Sequence, residues 1–168
     1  MQSGLALADK ALESEDYHAA WESLRAEPNE LARWRGRAEV LYRAGDPAGA
    51  LGAARAGLAI DSGQIELIYR ATGAAIWLED GAAAVGYADR LARAANALGK
   101  SNPEKSQAWQ EIARDYGARS QAIVLRDRAL DRTLACFRAL SIGGFASWSV
   151  LVLWVVLRGQ GRSSKPVS

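Results

Sequence analysis

Three aspartates set the grammar of this chain: Asp16, Asp46 and Asp80, each followed about one helical turn later by a small residue, Ala20, Ala50 and Ala84. Sliding the sequence over itself by 34 residues lays segment 45–54 on segment 79–88, with Asp, Ala, Ala, Gly and Ala recurring in register. A shift of 30 brings Glu15-Asp16-Tyr17 and Ala20-Trp21 onto Gly45-Asp46-Pro47 and Ala50-Leu51. Each Asp is placed to accept from the free N–H groups at the start of a helix, and Pro47 suits the first helical position. The alanines leave so little side chain that a neighbouring helix can approach closely and bury the larger residues beside them. Pairs of short antiparallel helices follow, and no segment of strand periodicity competes with them.

The pattern predicts helices near 4–13, 17–26, 31–44, 47–60, 65–78, 82–98, 104–117 and 119–138. Beyond them lies a run at 139–157 with no ionisable side chain, bracketed by Arg138 and Arg158. At about 1.5 Å per residue it nearly matches a hydrocarbon core of roughly 30 Å, so it reads as one C-terminal transmembrane helix that anchors the chain in the lipid bilayer. The expected organisation is a helical repeat domain at 1–118, a juxtamembrane capping helix at 119–138, the membrane helix at 139–157 and a short basic tail at 158–168. Ala139, Gly143 and Ser147 recur every four residues, a stripe that would let two membrane helices touch and form a homodimer. Met1-Gln2-Ser3-Gly4-Leu5 lacks the basic start of a signal peptide, and the tail is short, so the expected topology is single-pass with the repeats on the cytoplasmic side. Basic residues on both sides of the run leave the charge rule for orientation nearly balanced.

The sequence pI of 8.8 owes its sign to that tail. All but three of the 21 basic residues, and all 19 acids, precede the run, which leaves the part of the chain before it with one net negative charge. A nucleic-acid partner therefore loses its electrostatic footing. An enzyme needs a convergent set of nucleophile, base or metal ligands, and one His and one Cys far apart do not supply it. His18, beside Ala19-Ala20-Trp21, reads as a partly exposed structural histidine. Cys136 reads as a buried or lipid-facing thiol, with acylation as the alternative. No metal site, phosphate loop or cofactor is expected.

A period of 34 residues with helix, turn and helix resembles the tetratricopeptide repeat (TPR), and so do the residues that follow. Trp34 opens one copy, which continues with Ala38, Leu41, Gly45, Ala50, Ala54 and Leu58. It departs from the family at Arg37, where Leu is usual, and at Gly57, where Ala is usual. Trp109, Ile112, Ala113 and Tyr116 repeat the family's opening spacing, displaced by seven residues beyond two periods, and the turn-rich Gly99-Lys100-Ser101-Asn102-Pro103 is the expected place for the excess. Leu125 and Arg132 stand where the family has Ala, which fits a terminal cap.

The resemblance implies an all-α, antiparallel helix-pair solenoid with a groove lined by the first helix of each pair. It places Arg35, Glu39, Tyr42, Tyr69, Arg70, Gly73 and Trp77 in that groove, with Tyr42 and Trp77 equally suited to packing between repeats. The two arginines beside aromatic rings suit the carboxylate and apolar side chains of an extended peptide. The family's clamp for a terminal carboxylate uses Lys and Asn residues that these positions lack. The function expected is a membrane-anchored interaction adaptor or scaffold that holds a protein or peptide partner. The alternatives are a structural or assembly subunit of a larger membrane complex and, third, membrane shaping by segment 119–138.

Overall fold

The computed structural model describes residues 3–99 and 101–160, with side chains described as far as Arg138. Seven α-helices follow one another: α1 Gly4–Glu13, α2 Tyr17–Arg25, α3 Glu30–Arg43, α4 Pro47–Ile60, α5 Ile65–Trp77, α6 Gly81–Leu98 and α7 Pro103–Gln160. No strand occurs among the described residues. The chain divides into two units, residues 1–125 and 126–168.

The turns inside the three helix pairs are chemically the same. Glu15, Gly45 and Glu79 adopt left-handed backbone, with φ of 58°, 82° and 56°. The next residue is in each case the aspartate, whose N–H donates five residues back, to Ala11 O at 2.9 Å, Leu41 O at 2.9 Å and Ala75 O at 3.0 Å. This is a Schellman ending, which satisfies carbonyls the closing helix would leave bare. The same aspartate then caps the next helix: Asp16 accepts from Ala19 N–H at 2.9 Å, Asp46 from Gly49 N–H at 2.8 Å and Asp80 from Ala83 N–H at 3.0 Å. One residue thus ends one helix and starts another, so the spacing between aspartates sets the repeat. Glu15 occupies a left-handed position that costs a side-chain-bearing residue about 1 kcal/mol. Glu15→Gly is expected to raise the unfolding free energy by about 0.5–1 kcal/mol, measured by urea denaturation, and a loss of stability would show that the Glu15 side chain contributes more than its strain costs.

Within each pair α1 packs on α2, α3 on α4 and α5 on α6, and the pairs stack through α2 with α3 and α4 with α5. The first helices also meet one another, α1 with α3 and α3 with α5, whereas among the described residues the backbones of α2 and α4, and of α4 and α6, do not approach closely, and Arg55 Nε of α4 reaches the Tyr87 hydroxyl of α6 at 3.1 Å. The start of α7 continues the stack. Ser106 Oγ donates to Ala95 O at 2.7 Å, Gln110 Nε2 donates to Asn96 Oδ1 at 2.9 Å, and Trp109 meets Tyr69 of α5 edge to face. The fold of this unit is therefore a helical-repeat-like array whose first helices share one face.

Ala20, Ala50 and Ala84 are fully buried, as are the large side chains Leu24, Leu67, Ile68 and Leu91. Each of those large apolar side chains contributes about 2–3 kcal/mol by leaving water. Two apolar clusters form, a small one from α1 and α2 with Val40 of α3, and a large one from α3 through the start of α7. A buried carboxylate straps the small cluster together. Glu27, 5% exposed, accepts from Leu5 N–H at 3.0 Å and from Asn29 N–H at 3.2 Å, tying the first turn of α1 to the loop between α2 and α3.

Both departures from the repeat pattern have local causes. The guanidinium of Arg37 lies 5.1 Å from the Trp21 ring centre and 5.0 Å from that of Trp34, so two indole faces take the place of an apolar contact. Its buried Nε has no hydrogen-bond partner among the described residues. At Gly57 a methyl would sit 2.5 Å from Leu67 Cδ1 and 3.1 Å from Trp34 Cβ, and the glycine leaves that notch open for Leu67. The excess residues before Trp109 are absorbed largely within α6, which has 18 residues against 14 in α4, about one further turn.

Two expectations for the C-terminal part need correction. No break separates 117 from 119, and α7 passes through Gly117 without one. The transmembrane helix expected at 139–157 is not supported either, because among the described residues no helix is long and apolar enough to cross a membrane. That run is not a separate element, since its backbone continues α7 from turns carrying Arg126, Asp127, Arg128, Asp131, Arg132 and Arg138. The side chains of Ala139, Gly143 and Ser147, expected to pair two such helices, lie outside the described residues, as does the tail at 161–168.

Candidate binding cleft

A cleft of about 290 Å³ opens on the face shared by the first helices. Leu5 and Asp9 of α1 form one wall; Arg35, Gly36 and Glu39 of α3 form the middle. Glu66, Tyr69 and Arg70 of α5, with Trp109 of α7, form the other wall. No lining residue comes from α2, α4 or α6. The cleft thus draws on four successive first helices, and the backbones of α1, α3 and α5 approach one another along the stack where those of the second helices do not.

An ion-pair network organises its centre. Glu39 accepts from Arg43 Nε at 2.6 Å through one oxygen and from Arg70 Nε through the other. Both Glu39 and Arg70 are largely buried, with side chains 18% and 21% exposed. The Arg70 guanidinium also lies 5.1 Å from the ring centre of Tyr42 and 4.7 Å from that of Tyr69. Carboxylate and two rings together hold this arginine in place, and its charge is already answered.

Aromatic contacts continue the wall. Tyr69 stacks on Tyr116 with ring centres 5.2 Å apart and meets the Trp109 ring edge to face at 5.5 Å. Burial pushes the Tyr116 phenol well above its ordinary value, and the Tyr69 hydroxyl beside it adds to the rise. The phenol therefore stays neutral and serves as a packing surface.

Of the groove residues expected from the sequence, Arg35, Glu39, Tyr69 and Arg70 line this cleft. Tyr42, Gly73 and Trp77 do not; they form the seam between α3 and α5 beside it. Tyr42 meets Trp77 edge to face at 5.6 Å, and a methyl on Gly73 would stand 3.0 Å from the Tyr42 hydroxyl oxygen. Trp77 is nonetheless 52% exposed. Leu5, Asp9, Gly36, Glu66 and Trp109 join the lining without having been singled out for it. Trp109 carried a signal as the opening residue of the last repeat copy, equivalent in role to Trp34. Asp9 and Glu66 carried none, because their chemistry depends on which helix face turns inward.

His18 is exposed on α2 and Cys136 is an exposed free thiol on α7. No group of three or more His, Cys, Asp or Glu side chains able to hold a metal ion occurs among the described residues. Comparison with known proteins gives no match: no family model, no curated protein and no solved structure is similar to the chain.

Proposed function

We propose that this chain is a non-catalytic interaction module of the tetratricopeptide type, an adaptor that holds an extended segment of a partner protein across the cleft. The observation that carries the reading is the cleft's lining, drawn from four first helices and from none of the second helices. A surface built from a continuous stack favours an elongated ligand that contacts several repeats in turn. Trp109, half-buried and lining the cleft, has the side chain best suited to anchor such a ligand, since large rings at the centre of an interface carry much of its binding energy.

A second reading, a subunit packed permanently in a larger assembly, draws on one feature of α7. Leu130, Leu134 and Phe137 are spaced four and three residues apart on one helix face and are 56%, 54% and 66% exposed.

Affinity capture of the full chain from its native source, run beside Trp109→Ala and Trp109→Phe, tests the adaptor reading. Partners identified by mass spectrometry should weaken by about tenfold or more with Trp109→Ala and persist with Trp109→Phe, with far-UV dichroism confirming that both variants are folded. A set of partners unchanged by Trp109→Ala but lost on Leu134→Glu would overturn the cleft reading in favour of the assembly subunit.

A further inference from the structure

We propose that the cleft selects a peptide segment bearing a basic side chain, Lys or Arg. This rests on the adaptor reading above and names the chemistry of its ligand. Five charged residues line the cleft, and two of them, Glu39 and Arg70, answer each other in the ion-pair network. The remaining three are Asp9, Glu66 and Arg35, whose side chains make no ion pair or hydrogen bond among the described residues. A ligand therefore meets two unanswered carboxylates, on the α1 wall and the α5 wall, and one unanswered guanidinium on the α3 helix between them.

Three kinds of occupant can be weighed against that arrangement. An apolar side chain would strip water from Asp9 and Glu66 without replacing it, which costs more than its own burial returns. An acidic side chain would find Arg35 but face the charges of Asp9 and Glu66, with Arg70 already engaged. A Lys or Arg side chain gives both carboxylates a partner, and its aliphatic stem packs on the Trp109 ring, whose face also attracts the cation. Arg35 is then left to donate to the carbonyl oxygens of the same extended peptide. The charge expected of the ligand is thus opposite to the carboxylate that two free arginines would have called for, because Arg70 is not free.

A random peptide library displayed on phage, panned against the full chain, tests this directly. Peptides recovered on the wild type should be enriched in Lys and Arg over the unselected library, and replacing that residue by norleucine in a recovered peptide should weaken binding by about tenfold. Asp9→Asn combined with Glu66→Gln should weaken the same peptides similarly, and the combination Asp9→Lys with Glu66→Lys should shift the selection toward acidic peptides. Neither side chain has an ion-pair or hydrogen-bond partner to lose among the described residues, Glu66 gives up only its favourable place in the first turn of α5, and thermal melting by far-UV dichroism establishes that the variants are folded. Recovered peptides that show no basic preference, or that bind the Asn/Gln variant as tightly as the wild type, would overturn the charge inference while leaving the cleft as the binding surface. Failure to recover any peptide, or recovery of peptides that bind Trp109→Ala undiminished, would overturn the cleft reading and the charge inference with it.

Discussion

Leu67→Ala should lower the free energy of unfolding by about 3 kcal/mol, within the usual cost of roughly 2–5 kcal/mol for emptying a buried leucine site. Leu67 is fully buried in the large cluster and sits in the notch that Gly57 leaves open between α4 and α5. The loss should appear in urea denaturation as a lower midpoint with an unchanged slope, because cooperative unfolding of the array persists. Gly57→Ala in the wild-type background meets two opposing effects. Alanine gains about 1 kcal/mol of helix propensity, but the added methyl collides with Leu67 and Trp34, at about 1–3 kcal/mol for overpacking. In the Leu67→Ala background that collision is relieved and the methyl fills part of the void. The two substitutions together should therefore cost less than the sum of the single effects, by about 1 kcal/mol or more. Strict additivity would show that the notch does not set the position of α5 on α4.

Glu27→Ala should cost about 2–3 kcal/mol, confined to the N-terminal pair. Its carboxylate receives backbone N–H groups from Leu5 and Asn29, and bonds of this charge-assisted kind are worth about 1.5–3 kcal/mol each before the groups they leave behind find water. Truncation leaves both N–H groups without their carboxylate partner, at a place where the α1 backbone lies so close to α2 that a methyl on Gly4 would stand 2.5 Å from Ser23 O. Native-state hydrogen exchange distinguishes local from global loss. Amides of α1 and α2 should exchange faster by about thirtyfold or more, while those of α4 to α6 keep their protection. Equal acceleration throughout would mean that the two apolar clusters unfold as one.

The turns inside the helix pairs were legible in the sequence because their chemistry is local: an aspartate three residues before the N–H it accepts from leaves a visible mark at 16, 46 and 80. The small residues one turn later told equally plainly where helices touch. Other features depend on partners distant in sequence. Arg37 reads as a defect in the pattern until Trp21 is known to lie across from it, and Gly57 reads as a missing methyl until Leu67 occupies the space. The supposed break near Gly117 fails because a lone glycine in a helix costs only about 1 kcal/mol, and nothing crowds that position. The apolar run at 139–157 invited a membrane reading on composition alone, whereas the helix it belongs to starts at Pro103 and carries charge on most turns before it. In the cleft, the resemblance led to the first helices, but the sequence could not say that Glu39 would claim Arg70, and the sign of the available charge turns on that one pairing.

The strap at Glu27 has a consequence for recognition. Leu5 and Asp9 wall the cleft from α1, and α1 is held by a carboxylate that is not itself part of the cleft lining. Whenever the first pair springs open, a wall of the cleft departs with it, so only the closed fraction of molecules is competent to bind, and apparent affinity falls in proportion. The linkage runs both ways: saturating ligand must slow the opening of α1 by the same free energy that opening withholds from binding. A substitution at Glu27 would then register as weakened recognition in an assay blind to folding, and a tight partner would hold α1 against the helices behind it.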